Sequence, residues 1–125
     1  MLRGAENQER YRNDFEAIQS PETRAAYWLM VGWAATLKDY DVYPGINGYM
    51  ESLRFYNEGN WNFAVTANQQ WLLFYFRKPC FRLAQYSRDE ILQRFEGVVE
   101  RASGELKFHL RNISDVQRLI DYIEK

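Results

Sequence analysis

The chain has 125 residues and a formal net charge of −1 at pH 7, with 46% hydrophobic and 26% charged residues. These values are typical of a folded globular protein, and they exclude a disordered polar chain and an overall charge that would attract nucleic acid. The aromatic share of 17% exceeds what a small core requires, so some rings should reach the surface.

The first forty residues predict two helices. Residues 6–19 form a charged segment whose narrow apolar stripe consists of Tyr11, Phe15 and Ile18. A second helix should begin at Ser20-Pro21, because serine caps free amides and proline suits the first helical position. This helix should run to about Tyr40.

The middle of the second helix, residues 25–37, is apolar all round. Such a segment should be buried, either in the centre of the domain or half in the domain and half against a partner subunit. Its 13 residues (37 − 25 + 1) are too few to span a bilayer, which needs about 20. We therefore predict no membrane association.

Strand patterns dominate the central part of the chain. Aromatic and β-branched residues, interrupted by turn-forming residues, predict strands at 51–57, 61–67, 71–77 and 80–85. The first two should be joined by a hairpin turn at Glu58-Gly59-Asn60. The preceding segment Asp41 to Gly48 has the proline and glycine content of a loop.

The last third of the chain predicts a helix, a strand and a helix. A capping box at Ser87 to Glu90 should start a helix that runs to Ala102. Residues 105–111 alternate like a short strand, and Ser114 should open the last helix.

These elements predict an α+β fold in the order α-α-β-β-β-β-α-β-α. An antiparallel sheet of about five strands should pack against the helices. We expect residues 1–125 to form a single domain, with a helical part at 1–40 and a sheet-rich part at 49–125.

Alternate residues of a strand point to opposite faces of the sheet, so the apolar set should face the helices. That set comprises Leu53, Phe55, Trp61, Phe63, Val65, Leu72, Phe74, Phe76, Phe81, Leu83, Leu106, Phe108 and Leu110. The opposite set comprises Arg54, Tyr56, Asn62, Thr66, Trp71, Leu73, Tyr75, Arg77, Arg82, Lys107, His109 and Arg111. The nearby acids Glu51 and Glu105 fall only at strand ends. The pattern therefore predicts a basic sheet face that carries aromatic rings.

A face of this kind suits a non-enzymatic binding protein. Aromatic rings on an open sheet can stack unpaired bases, while guanidinium groups hold phosphates. We predict binding of single-stranded nucleic acid or another anionic ligand at Arg54, Tyr56, Trp71, Tyr75, Arg77, Arg82, Lys107, His109 and Arg111. The alternative is an ordinary solvated face whose arginines pair with helix carboxylates.

Two other functions stay open at this point. The first is a protein–protein interaction module, such as an inhibitor or immunity-type protein, or a homodimer joined through aromatic surface. The second is a Mg²⁺-dependent nuclease, because Glu105 and Lys107 have the Glu-x-Lys spacing in which the carboxylate holds the metal and the lysine orients water.

Other chemistry has little support in the sequence. Cys80 is the only cysteine and His109 the only histidine, and no motif surrounds either of them. The set of ligands that a structural zinc site needs is missing, and no phosphate-binding loop occurs. We predict no cofactor, no metal and no catalytic residue. A single thiol and an N-terminus without an apolar run favour a cytoplasmic protein.

Overall fold

The computed structural model describes residues 8–44 and 51–124. Within these ranges it contains four α-helices and a six-stranded antiparallel sheet, which confirms the predicted α+β fold with one strand more than expected. The helices are α1 (Gln8–Ala17), α2 (Pro21–Thr36), α3 (Arg88–Arg94) and α4 (Ile113–Ile123). The strands are β1 (Asp41–Pro44), β2 (Glu51–Asn57), β3 (Asn60–Ala67), β4 (Leu72–Phe76), β5 (Val99–Glu100) and β6 (Leu106–Leu110).

The strands lie side by side in the order β1-β2-β3-β4-β6-β5, and every neighbouring pair is antiparallel. The predicted hairpin between β2 and β3 is present. Glu58 and Gly59 both have positive φ values, 49° and 82°, as a two-residue type I′ turn requires. This turn matches the right-handed twist of the two strands that it joins.

Side-chain caps set the helix starts. The Ser20 hydroxyl accepts a hydrogen bond from the Thr23 amide at 3.3 Å, which confirms the predicted start of α2. The Ser87 hydroxyl caps α3 in the same way, as predicted. The last helix starts two residues earlier than expected, because Asn112 rather than Ser114 caps it.

The core lies between one face of the sheet and the helices. Phe76 is fully buried, and its ring centre lies 6.0 Å from that of Tyr122 on α4. Trp33 of α2 contacts Phe55 of β2 with ring centres 5.6 Å apart. The indole of Trp33 also donates to the Glu124 carboxylate at 2.9 Å, which ties α2 to the end of α4. Packing among aromatic rings therefore holds the helices on this face.

The strand predicted at residues 80–85 is wrong. The chain forms a 3₁₀ helix at Lys78–Arg82 instead, with Pro79 in its first turn, because proline has no amide to give to a sheet. Arg82 is consequently exposed on this helix and does not lie on the sheet. Cys80 is the buried residue of the same 3₁₀ helix, and its burial raises the pKa of its thiol to about 12.

The helix predicted at residues 87–102 is also shorter than expected. It ends at Arg94, and Gly97 then adopts a φ of 70°, which a glycine enters at little cost. Val99 and Glu100 follow as β5, which pairs with β6. Two strands, β1 and β5, thus form where no strand was predicted, and the strand predicted at residues 80–85 is missing. The sheet therefore has six strands rather than the expected five.

The predicted loop at residues 41–48 is wrong in its first half. Residues 41–44 pair with β2 as the strand β1, and residues 45–48 lie outside the described residues. The helix before it ends at Thr36 rather than near Tyr40.

Helix α2 is buried on one side only. Its inward residues include Tyr27, Met30 and Ala34, whereas Trp28 is 47% exposed on the outward side. No helix in the described part of the chain is long and apolar enough to cross a bilayer.

Candidate ligand-binding face

A β-bulge changes which residues face the helices. The register shifts so that Phe55 pairs with Phe63 but Tyr56 pairs with Trp61, which leaves Asn62 as an extra residue in β3. Asn62 is 1% exposed, and its amide nitrogen donates to the Tyr40 hydroxyl at 3.2 Å. The expectation that Trp61 faces the core and Asn62 the opposite side is therefore wrong for both residues.

The sheet face opposite the helices is termed the open face. Its side chains are partly or largely exposed, apart from the small residues Ala64 and Thr66, which are buried between larger neighbours. The open face comprises Tyr43, Arg54, Tyr56, Trp61, Ala64, Thr66, Leu73, Tyr75, Arg77, Lys107 and His109, with Trp71 and Arg111 beside the ends of β4 and β6. Eight of the nine predicted site residues thus share one face, and Arg82 is the exception.

Trp61 and Arg77 are in close contact at one end of the open face. The Arg77 guanidinium carbon lies 3.9 Å from the centre of the indole, a close cation–π contact. Arg77 Nε also donates to Glu105 Oε2 at 2.9 Å. Tyr56 packs on Trp61 with ring centres 5.8 Å apart. Both the charge of Arg77 and the ring of Trp61 are therefore occupied by contacts within the protein.

Arg54 lies among three aromatic rings, one on its own strand β2 and one on each of the neighbouring strands β1 and β3. Its guanidinium carbon is 5.9 Å from the ring centre of Trp61 and 6.0 Å from those of Tyr43 and Tyr56. Its Nη2 donates to the Pro44 carbonyl at 3.2 Å. These contacts hold the side chain in place without neutralising its charge.

Tyr75 occupies the middle of the open face. The strand register places it between Ala64 of β3 and Lys107 of β6, while Arg54 is the next residue beyond Ala64. The Arg101 guanidinium carbon lies 6.0 Å from the centre of the Tyr75 ring. A tyrosine ring therefore separates two cations, Arg54 and Lys107, along a single row.

Trp71, His109 and Arg111 form the other end of the open face. The rings of Trp71 and His109 meet edge to face with centres 4.9 Å apart, and the Arg111 guanidinium carbon lies 5.9 Å from the Trp71 ring. Burial, and then the charges of Arg111 and Lys107, lower the pKa of His109 below its ordinary value of 6.5. His109 is therefore neutral at pH 7 and contributes a ring rather than a charge.

The charges of the open face are only partly compensated. Arg77 pairs with Glu105, whereas Arg54, Lys107 and Arg111 form no ion pair with any residue that the structure describes. No carboxylate of the described helices forms an ion pair with these three cations, although Asp115 of α4 accepts a hydrogen bond from the Arg111 backbone amide at 2.8 Å.

Glu105 has a different environment from that of a metal-binding carboxylate. In addition to its contact with Arg77, its Oε1 lies 3.4 Å from Arg101 Nη1 and accepts from the Ser103 hydroxyl at 3.3 Å. Over residues 8–44 and 51–124, no group of three or more His, Cys, Asp or Glu could hold a metal ion. The geometry gives the nuclease hypothesis no support, because Glu105 is already engaged by two arginines.

The sequence pattern did not predict that two residues, Trp61 and Tyr43, lie on the open face. Trp61 has the parity of a core residue, and only its pairing with Tyr56 in the bulge moves it outward. Tyr43 lies in a segment with loop composition, and its place opposite Arg54 follows from the pairing of β1 with β2.

No family model matches this chain, and neither a curated protein nor a solved structure is significantly similar to it.

Proposed function

We propose that the open face binds single-stranded nucleic acid. The observation that carries this proposal is the combination of uncompensated cations and partly exposed aromatic rings on one surface. Arg111 is exposed, Lys107 is partly exposed, and Arg54 is partly exposed with a charge that no ion pair with a described residue offsets. Tyr75 and Trp71 lie between or beside them. Sequence-tolerant binding of single strands uses the same two components, a basic surface for the backbone and aromatic rings for the bases.

The dimensions of the face agree with this role. Arg54 and Lys107 are separated by three strand-to-strand steps, from β2 through β3 and β4 to β6. At about 4.8 Å a step, this corresponds to about 14 Å. A strand of several nucleotides that crosses the sheet can therefore contact both cations and the Tyr75 ring between them.

The proposal predicts a defined salt dependence. Binding of a thymidine oligonucleotide of about ten nucleotides should quench tryptophan fluorescence, because Trp61 and Trp71 lie on the open face. Each phosphate that a cation neutralises contributes about −0.7 to the logarithmic salt slope, so three cations give about −2. Affinity should therefore fall about 20-fold between about 50 and about 200 mM salt.

Charge variants give this titration a matched control. Lys107→Gln should reduce the salt slope by about 0.7. Arg94→Gln removes the same charge from α3, where Arg94 pairs with Glu90, and should leave the slope unchanged. Absence of binding at the lower salt concentration, or an equal effect of both variants, would contradict the proposal.

The outward side of α2 favours a second candidate function, binding of another protein or of a second copy of this chain. Trp28 is 47% exposed and packs on Phe15 with ring centres 4.9 Å apart. Gly32 and Ala35 are exposed on the same helix, and no charged residue occurs between Ala25 and Leu37. An exposed apolar surface on a helix is a common feature of interaction sites.

The homodimer form of this second candidate makes a simple prediction. The protein should elute and scatter light as a dimer at high concentration, and Trp28→Glu should convert it to a monomer. Ile113→Glu provides the control, since Ile113 is 50% exposed at the start of α4 and lies outside this surface. A wild-type protein that stays monomeric at every concentration would exclude the homodimer.

A further inference from the structure

A cavity of about 440 Å³ lies between the end of α1 and the turn that joins β3 to β4. Ala17, Ile18 and Ala67 give it apolar walls, and Asn68 and Trp71 line it from the turn. The Asp14 carboxylate, which pairs with Arg10, also lines it. Its volume is within the range of pockets that hold small organic groups, about 300 to 1,000 Å³.

The turn that lines the cavity is fixed by backbone hydrogen bonds. The Asn68 amide donates to the Trp71 carbonyl at 2.9 Å, which closes the turn. The Gln69 carbonyl accepts from the amides of Gln19 and Ser20 at 2.8 and 3.1 Å. The wall of the cavity is thus attached to the connection between α1 and α2.

Two side-chain donors in this wall have no acceptor. Asn68 Nδ2 and Trp71 Nε1 are both buried, and neither makes a hydrogen bond. A buried donor without a partner destabilises the folded state, so native proteins contain few of them. Two such donors lie behind the wall of one cavity, where an acceptor from outside the chain could pair with them once a side chain moves aside.

Trp71 also connects the cavity to the open face. Its ring contacts His109 and lies near Arg111, so the same indole lines the cavity and belongs to the path of the bound strand. The two buried donors are closed to solvent, and a ligand must therefore displace a side chain to reach them. Gln69 and Gln70 line the cavity and are exposed, so their side chains can move without disturbing the core.

We propose that this cavity holds one base of the strand on the open face, and that the base carries a carbonyl oxygen. This inference rests on the proposed function. A carbonyl oxygen accepts hydrogen bonds from an amide and an indole donor, which Asn68 and Trp71 supply. Adenine has no carbonyl and presents an amino donor beside its N7 acceptor, so it meets the two donors less well.

The test compares two strands of about ten nucleotides, one of deoxyadenosine alone and one with a single central thymidine. The wild-type protein should bind the thymidine-containing strand roughly 10-fold more tightly, the effect of one or two added hydrogen bonds. Asn68→Asp replaces the donor with a carboxylate that repels a carbonyl, and should abolish this preference. Gln19→Glu places the same charge on an exposed residue that is hydrogen-bonded to this turn but does not line the cavity, and it should retain the preference.

A second variant keeps the test decisive if Asn68→Asp does not fold. Trp71→Phe removes the indole donor but keeps an aromatic ring, so it should reduce the preference for thymidine, measured as the ratio of the two affinities within this variant. Equal binding of both strands by the wild-type protein would overturn the assignment of the cavity and leave the proposed function intact. A preference that survives both variants would also overturn it. Failure to bind either strand would instead reject the proposed function, and the base pocket with it.

Discussion

Replacing Phe76 with alanine should lower the free energy of unfolding by about 3 to 5 kcal/mol, the usual cost of deleting a buried aromatic ring. Phe76 is fully buried, and its ring lies 6.0 Å from both Phe108 and Tyr122. These contacts join β4 to β6 and to α4, so the cavity left by alanine would lie where the sheet meets the helices. Urea denaturation followed by far-UV circular dichroism measures the loss.

Tyr75→Ala is the control for this experiment. Tyr75 is the neighbour of Phe76 on β4, but it lies on the open face and is partly exposed. Its truncation should cost about 1 kcal/mol, close to the average for a point mutation. An equal loss for both variants would contradict the assignment of the two faces of the sheet.

Asn62→Asp should destabilise the protein by about 3 to 5 kcal/mol at pH 7, because it buries a charge that has no cationic partner. Asn62 is 1% exposed, and among the residues that the structure describes its side chain makes one hydrogen bond, to Tyr40. Burial would raise the pKa of the new carboxyl in the folded state above its unfolded value of about 3.9. The unfolded state then loses its proton first, so the destabilisation grows as pH rises above about 4 and shrinks below it.

Thermal denaturation at about pH 4 and pH 7 measures this effect as the difference between variant and wild type. Asn60→Asp serves as the control, since Asn60 is exposed at the start of the same strand. If Asn62→Asp were no more harmful than Asn60→Asp at pH 7, Asn62 would face solvent. The β-bulge would then be incorrect, and Trp61 would return to the core.

The alternation of apolar residues was enough to predict the inner face of the sheet. Leu72, Phe74 and Phe76 alternate over a continuous segment, and all three are fully buried. Such a pattern is local, since a residue two positions along a strand must lie on the same face. The same reasoning failed at Trp61 and Asn62, because a bulge depends on the partner strand and leaves no local sign in the alternation.

The segment after β4 shows a second reason why prediction from the sequence failed. Phe81 and Leu83 alternate with polar residues, which favours a strand, yet Pro79 starts a 3₁₀ helix. Phe81 of this helix and Leu83, which follows its last residue, are both partly buried and still pack against the core. Apolar spacing therefore predicted the burial but not the backbone conformation, and Arg82 was assigned to the wrong surface as a result.

The pairing of Arg77 with Glu105 could not be predicted without the strand order. The two residues are 28 positions apart, and they meet because β4 lies next to β6 while β5 takes the outer position. The uncompensated charges of Lys107 and Arg111 depend on the same order, since it decides which carboxylates come near. The alternation of residues along the strands predicted a basic face, and topology decided which of its cations have no carboxylate partner.

The two outermost described strands are also the shortest. β5 has only 2 residues, and β1 has 4 and ends at Pro44, which has no amide hydrogen to donate. The longer and more aromatic strands β2, β3 and β4 are enclosed between neighbours on both sides. Few unpaired backbone groups are therefore presented at the rims of the sheet, which disfavours cross-β aggregation of an aromatic-rich chain. We therefore expect association between folded copies to proceed through side chains rather than through the addition of a strand.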